Sequence, residues 1–259
     1  MKKFLSFAAF ALLASAMTIS LSACGGDDDE DNNGGGSQEQ ADKPLTPEGA
    51  AAVAVDLGLP SGTLWADRNV GADKPEACGS YFAWGETETK TEYSWSTYKY
   101  GTDYDKLTKY CNVSKFGKDG YTDASNPKIM KVLTELLPED DAASVNWGGK
   151  WCMPTKAQIE ELITNTDNSW VDNYNDTGVN GYKFTSKKDA SKYIFLPAAG
   201  TWQGASFLNV GFYGYYWSSS LYVYFPYDAH DIVFYSLTEE VESYHTNRFF
   251  GNPVRPVRK

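Results

Sequence analysis

The chain has 259 residues and a net charge of −11, from 34 Asp+Glu against 23 Lys+Arg. An acidic chain with no basic stripe is a poor partner for phosphate backbones, so nucleic-acid binding is excluded. An apolar fraction of 42%, with aromatics at 15%, is too rich for a disordered protein and predicts one sizeable folded domain.

The first segment does not belong to that domain. Lys2 and Lys3 precede an Ala- and Leu-rich run from Phe4 to Leu21, which ends at Leu21-Ser22-Ala23-Cys24. This is the pattern of a secretory signal peptide, 1–23, too short and wrongly flanked for a stable membrane span. Small residues before Cys24 resemble a bacterial lipobox, which predicts lipidation of Cys24. From there to Gly49 we expect a flexible tether. Its run Asp27-Asp28-Asp29-Glu30-Asp31 stays solvated, and Pro44 and Pro47 argue against helix. Membrane contact is expected through the lipid anchor only.

The domain is expected over 50–259. Ala50–Asp56 and Thr63–Val70 read as short strands around a Leu59-Pro60-Ser61-Gly62 turn, and Gly79–Glu86 as another. The polar, tyrosine-rich stretch 88–120 reads as loop. Asn126-Pro127 followed by Ile129, Met130, Leu133 and Leu137 predicts a helix stopped by Pro138. A second helix is predicted from Thr155, where Thr155 and Gln158 have the spacing of a capping box, to about Asn165. Ile159, Leu162 and Ile163 line its apolar face. From Tyr182 onward only strands and loops are expected, including Tyr193–Pro197, Tyr215–Ser218, His230–Ser236 and a closing Val254–Arg258. Cys78, Cys111 and Cys152 allow at most one disulfide, with its pairing open.

Several segments, in this order, carry a family resemblance: VDLGLPSGTLWA (Val55–Ala66), Asn69–Ala72, GSYFAWGE (Gly79–Glu86), Asp140–Ala143, NWGGKWCMPT (Asn146–Thr155), Ile194–Gly200, GYYWSSS (Gly214–Ser220) and VRPVR (Val254–Arg258). The set resembles the Fibrobacter succinogenes major paralogous domain, found in Bacteroidetes surface lipoproteins. Cys152 departs from the Arg usual in that motif. The resemblance implies an α+β, C-type-lectin-like fold, related to formylglycine-generating enzymes, with two helices, small antiparallel sheets and extensive irregular loops. It also implies an outer-membrane lipoprotein facing the cell exterior, and a scaffold whose C-terminal loops present a ligand-binding face. Variable proteins diversified by retroelements use the same scaffold.

Signs of chemistry are few. No Gly-x-Ser-x-Gly elbow surrounds Ser206 or Ser218–Ser220, and Glu160-Glu161 reads as a wet helix face. Asp172–Gly178 is oxygen-rich but lacks calcium-loop spacing, so no metal or cofactor is expected, and no catalysis. The final 60 residues hold 16 of the 39 Phe, Trp and Tyr and both histidines. From these we expect Tyr213, Tyr222, Tyr224, Phe225, Tyr227, His230, Tyr235, Tyr244, His245, Phe249 and Phe250 to form a contact face for a protein or glycan. Phe234, Trp217 and Trp202 are assigned to the core, and Arg248, Arg255 and Arg258 to structural pairing with acidic residues. The competing readings are a glycan-handling enzyme or accessory of polysaccharide uptake, and a structural envelope protein without a ligand.

Overall fold

The computed structural model describes residues 43–117 and 133–258, all within one compact unit, Ala41–Lys259. The signal peptide, Cys24, most of the tether and the start of the helix expected at 127 lie outside the described residues. Within them the fold is α+β, with three α-helices and thirteen strands in small antiparallel sheets, none of them closed.

Helix α1 (Pro47–Ala51) corrects the expected tether end. Pro47 does not break it but opens it, because a proline at the first helical position loses no needed N–H. Thr46 caps it by accepting from the Gly49 N–H. Strand β1 (Ala54–Asp56) pairs with β2 (Leu64–Ala66), and β3 (Tyr81–Phe82) is all that forms of the strand expected over 79–86. After a loop-rich stretch come α2 (Ala142–Trp147) and α3 (Lys156–Asn165).

Helix α3 forms as its sequence predicts. The Thr155 hydroxyl accepts from the Gln158 N–H at 3.3 Å, and the Gln158 side chain accepts from the Thr155 N–H at 2.9 Å. Helix α2 was not anticipated. Asp141 caps it, its two oxygens accepting from the Ser144 and Met153 N–H groups at 2.8 Å each. Burial nevertheless pushes the Asp141 carboxyl up to about 6, against those backbone bonds. Gly148 ends α2 at φ +65°, where a Cβ would lie 2.2 Å from the Pro44 carbonyl oxygen.

The expected helix over 127–137 is not helical where it is described. Leu136 N–H donates to Ser219 O and Thr134 O accepts from Leu221 N–H, so this segment runs as an extended edge. Pairing with a neighbouring strand overrides the local apolar spacing.

Strands β4 (Thr166–Val171), β5 (Gly181–Ser186) and β6 (Tyr193–Pro197) form one meander, and β7 (Thr201–Gln203) with β8 (Ser206–Leu208) a hairpin. A second meander is β9 (Tyr213–Leu221), β10 (Asp228–Tyr235) and β11 (Val241–Asn247). Short β12 (Asn252–Pro253) pairs with β3, and β13 (Val257–Arg258) with β2, so the closing residues tie the chain's end to its start.

Two large core clusters hold this together, with a small third one of Leu107, Cys111 and Phe116. One gathers Trp84, Trp147, Trp151 and Trp217, and the other Trp65, Ile159, Leu162, Phe184, Leu196, Tyr216 and Phe234. Trp84 and Trp217 donate their indole N–H groups to the Ser218 and Phe82 carbonyls, both at 2.8 Å, so the bulk is buried without orphaning the polar edge. Phe234 and Trp217 are core as expected, while Trp202 is half-buried.

Arg248 and Arg255 are structural, but their partners are not acidic. Arg248, wholly buried, donates to the Tyr98 hydroxyl and to the carbonyls of Lys109, Tyr110 and Pro226. Arg255 donates to Asn69 Oδ1 and to the carbonyls of Ala66, Asp67 and Phe195, and burial pulls its guanidinium down to about 10. Each cation thus joins segments distant in sequence by satisfying their backbone carbonyls. No disulfide joins Cys78, Cys111 and Cys152 to one another among the described residues.

Candidate functional site

The β9–β10–β11 meander positions the site. In antiparallel pairing alternate residues share a face, so His230, Ile232 and Phe234 of β10 point one way. Helix α3 covers that face at the Ile232–Phe234 end, with Ile159 and Leu162 packed against them. Beyond the first turn of α3 the face continues as His230 and Asp228 of β10 and His245 of β11.

Strand β9 is bulged opposite Ala229–Asp231. Ser218 closes the irregularity by donating to His230 O at 2.8 Å, while Ser219 and Ser220 donate to the two Glu135 oxygens at 2.5 and 2.6 Å. The bulge brings the chain after β9 across the histidines. Tyr222 then lies flat on His245, and its ring edge-packs with His230 at 5.2 Å and Tyr224 at 5.6 Å. Tyr244 continues the stack on His245, with centroids 4.9 Å apart. Phe225 and Tyr227 stack at 5.6 Å, and Tyr227 meets Phe116 and Tyr104.

One connected surface therefore includes Tyr222, Tyr224, Phe225, Tyr227, His230, Tyr244 and His245. Tyr224 is its most open member, at 73% exposed. Exposed Tyr104 also belongs to it, and buried Phe116 backs it from a small cluster with Leu107 and Cys111; sequence reasoning missed both because they sit more than a hundred residues upstream in an expected loop.

Four expected residues lie elsewhere. Tyr213 and Tyr235 are on the opposite face of the sheet, edge to face at 5.1 Å, with Tyr213 parallel to Tyr215. Phe249 and Phe250 follow the end of β11, where the chain turns inward at buried Arg248. They pack against the first core cluster, Phe249 at 5.0 Å from Trp95.

Electrostatics distinguish the two histidines. His245 Nδ1 is 2.9 Å from Asp228 Oδ2, and burial raises the Asp228 carboxyl against that contact. His230 Nδ1 is 3.1 Å from the Tyr244 carbonyl oxygen. A carbonyl only accepts, so Nδ1 carries the proton. Desolvation, with Lys156 and His245 nearby, lowers the His230 pKa, so the ring is neutral and Nε2 offers a lone pair. No described residue bonds that nitrogen. On the other face, Asp231 is fully buried, with Oδ2 accepting from Thr246 Oγ1 at 2.9 Å and Oδ1 without a partner. Burial holds its carboxyl well above the usual range.

Between the aromatic surface and the first turn of α3 lies a cleft of about 690 Å³, lined by Glu135, Lys156, Glu160, Tyr222, Tyr224 and His230 among others. Lys156 and Glu160 form an exposed ion pair at 2.8 Å. Glu135 and Lys156 were not anticipated as site residues. Neither histidine is bonded to a hydroxyl or thiol, and no group of three or more His, Cys, Asp or Glu is placed to hold a metal among the described residues. The arrangement can stack a flat ligand face on tyrosine and offer it donors and acceptors at the rim.

No family model, curated protein or solved structure matches this chain.

Proposed function

We propose that this chain is a non-catalytic recognition protein whose ligand, a glycan or protein, seats on Tyr224 and the Tyr222–His245–Tyr244 stack. The observation that carries this reading is an exposed tyrosine held on a rigid ring stack beside a cleft with an unused imidazole acceptor. Large rings on a fixed support give contact area at low entropy cost. The loop-rich α+β architecture supports a C-type-lectin-like scaffold, and the ordered motifs support the major paralogous domain resemblance. Leu21-Ser22-Ala23-Cys24 and the acidic run after it support a lipid anchor and display on the outer membrane.

Two experiments test this. Capture of ligands from glycan and protein arrays by the purified protein addresses recognition. Hydrolysis of any captured glycan by the protein alone would instead favour the glycan-handling enzyme. Fatty-acid labelling addresses the anchor: label on the wild type and none on Cys24→Ser supports it, while equal label on both removes it.

A further inference from the structure

Strand β11 is the outer strand of its meander. It pairs with β10 without a shift of register, from Asp228↔Asn247 to Phe234↔Val241. Just beyond the two ends, Tyr235 N–H donates to Glu240 O and Arg248 N–H donates to Tyr227 O. Antiparallel pairs alternate between bonded and unbonded, so Ala229–Thr246, Asp231–Tyr244 and Val233–Glu242 are the bonded ones. The N–H and C=O groups of Val241, Ser243 and His245 therefore point away from β10. Among the described residues none of these groups has a hydrogen-bond partner, and no strand or bridge lies along that side. Sheet edges are normally blunted by proline, lysine or a bulge. Val241–Asn247 (VESYHTN) contains neither residue, and the meander's bulge lies on β9.

The side chains along this edge select what can pair with it. Glu242 and Tyr244 are exposed and share one face of β11. Glu242 Oε1 accepts from the Tyr235 hydroxyl at 3.1 Å, and Glu239 and Glu240 stand exposed just before the strand. None of these three carboxylates forms an ion pair among the described residues, and no lysine or arginine occurs from Asp228 to Asn247. An acidic strand, or β11 of a second copy, would bring like charges to this edge. A lysine or arginine would instead pair with Glu242 and lie over the Tyr244 ring. On the other face Tyr222 covers His245, so the edge borders the aromatic surface described above.

Resting on the recognition reading above, and naming the class of its partner, we infer that the ligand is a protein that adds a basic, extended segment to the free edge of β11. Its backbone bonds the outward groups of Val241, Ser243 and His245, and alternate lysine or arginine side chains face Glu242 and Tyr244. The unpaired backbone groups require an extended chain, and the carboxylates set its charge.

The test titrates the purified protein with three capped heptapeptides: TKVRVKT, its acidic counterpart TEVEVET, and TKVRVKT with two adjacent central amides N-methylated. The basic peptide binds about tenfold or more tighter than either of the others, and less tightly as salt is raised. On binding, amide exchange at Ser243 and His245 slows about tenfold or more. Glu242→Lys, at an exposed position, erases the preference over the acidic peptide, and Tyr244→Ala weakens the basic one. Equal binding of the N-methylated or acidic peptide, a preference that survives Glu242→Lys, or unchanged exchange at Ser243 and His245 overturns the inference. So does a free protein that sediments as a dimer with those two amides already protected, because a second copy then covers the edge. If no peptide binds while a glycan is captured through Tyr224, the inference falls and recognition stands. If the basic peptide binds with the expected exchange pattern and Tyr224→Ala leaves its affinity unchanged, the inference stands and Tyr224 leaves the recognition reading.

Discussion

The Tyr222 ring lies on the His245 imidazole with centroids 3.7 Å apart and planes 10° from parallel. This contact ties the loop after β9 to the edge strand β11, two segments that do not pair by backbone. His245 is itself held by Asp228. The loop that carries Tyr224 is therefore anchored at its root.

Tyr224 and Phe249 separate binding from packing. Tyr224→Ala removes a ring that is mostly in solvent, so it abolishes ligand capture and changes stability by less than about 0.5 kcal/mol. Phe249→Ala empties a site packed against Trp95 and the core, and costs roughly 2–4 kcal/mol with ligand capture retained in the folded fraction. Urea titration and array capture of each variant check both halves.

Removing the Arg248 guanidinium takes a hydrogen bond from the Tyr98 hydroxyl, from the adjacent carbonyls of Lys109 and Tyr110, and from the Pro226 carbonyl. Each buried group left unpaired costs about 1–3 kcal/mol, so Arg248→Met is destabilised by roughly 3 kcal/mol or more. A lysine cannot span the same fork, so Arg248→Lys recovers little of this in urea denaturation.

Asp231 makes stability depend on pH with a definite sign. Its folded-state pKa is raised, so the folded chain holds a proton that the unfolded chain releases as pH climbs past about 4. Folding loses stability as pH rises through that range. Asp141, raised to about 6, acts in the same direction between about 4 and 6. Asp231→Asn keeps the acceptor for Thr246 and carries no proton to lose. Its urea midpoint therefore gains on wild type from pH 4.5 to pH 7.5, and parallel midpoints would remove Asp231 as the source.

With no disulfide joining Cys78, Cys111 and Cys152 to one another among the described residues, denaturing the protein without reductant exposes three thiols outside the lipidation site. Thiol titration reads three, and added reductant leaves the melting temperature unchanged. A reading of one, with a reductant-sensitive melt, would establish a disulfide.

What could be read from sequence was what local chemistry specifies. Helix α3 was legible because its Thr155–Gln158 cap and its apolar face lie within one short segment. Helices α1 and α2 were not, being only five and six residues long and dependent on Thr46 and Asp141 caps and on tertiary packing. Leu133–Leu137 misled because its spacing is helical while its hydrogen bonds go to β9. Aromatic density located Tyr222 to Tyr227, His230 and the Tyr244–His245 pair correctly as neighbours. Density carries no information about which side of a sheet a ring faces, so Tyr213 and Tyr235 were misplaced with them. Nor does it show where the chain dives inward, as it does at Arg248 before Phe249 and Phe250. Glu135 and Lys156 reach the site only through tertiary contact.

The most direct test of the account is ligand affinity measured by calorimetry for wild type, Tyr224→Ala and the opposite-face control Tyr213→Ala, using whichever array member the wild type captures. The account predicts a loss of more than about tenfold for Tyr224→Ala, unchanged affinity for Tyr213→Ala and a ligand recovered intact. Equal affinity for Tyr224→Ala and wild type, or a ligand returned cleaved, would contradict it.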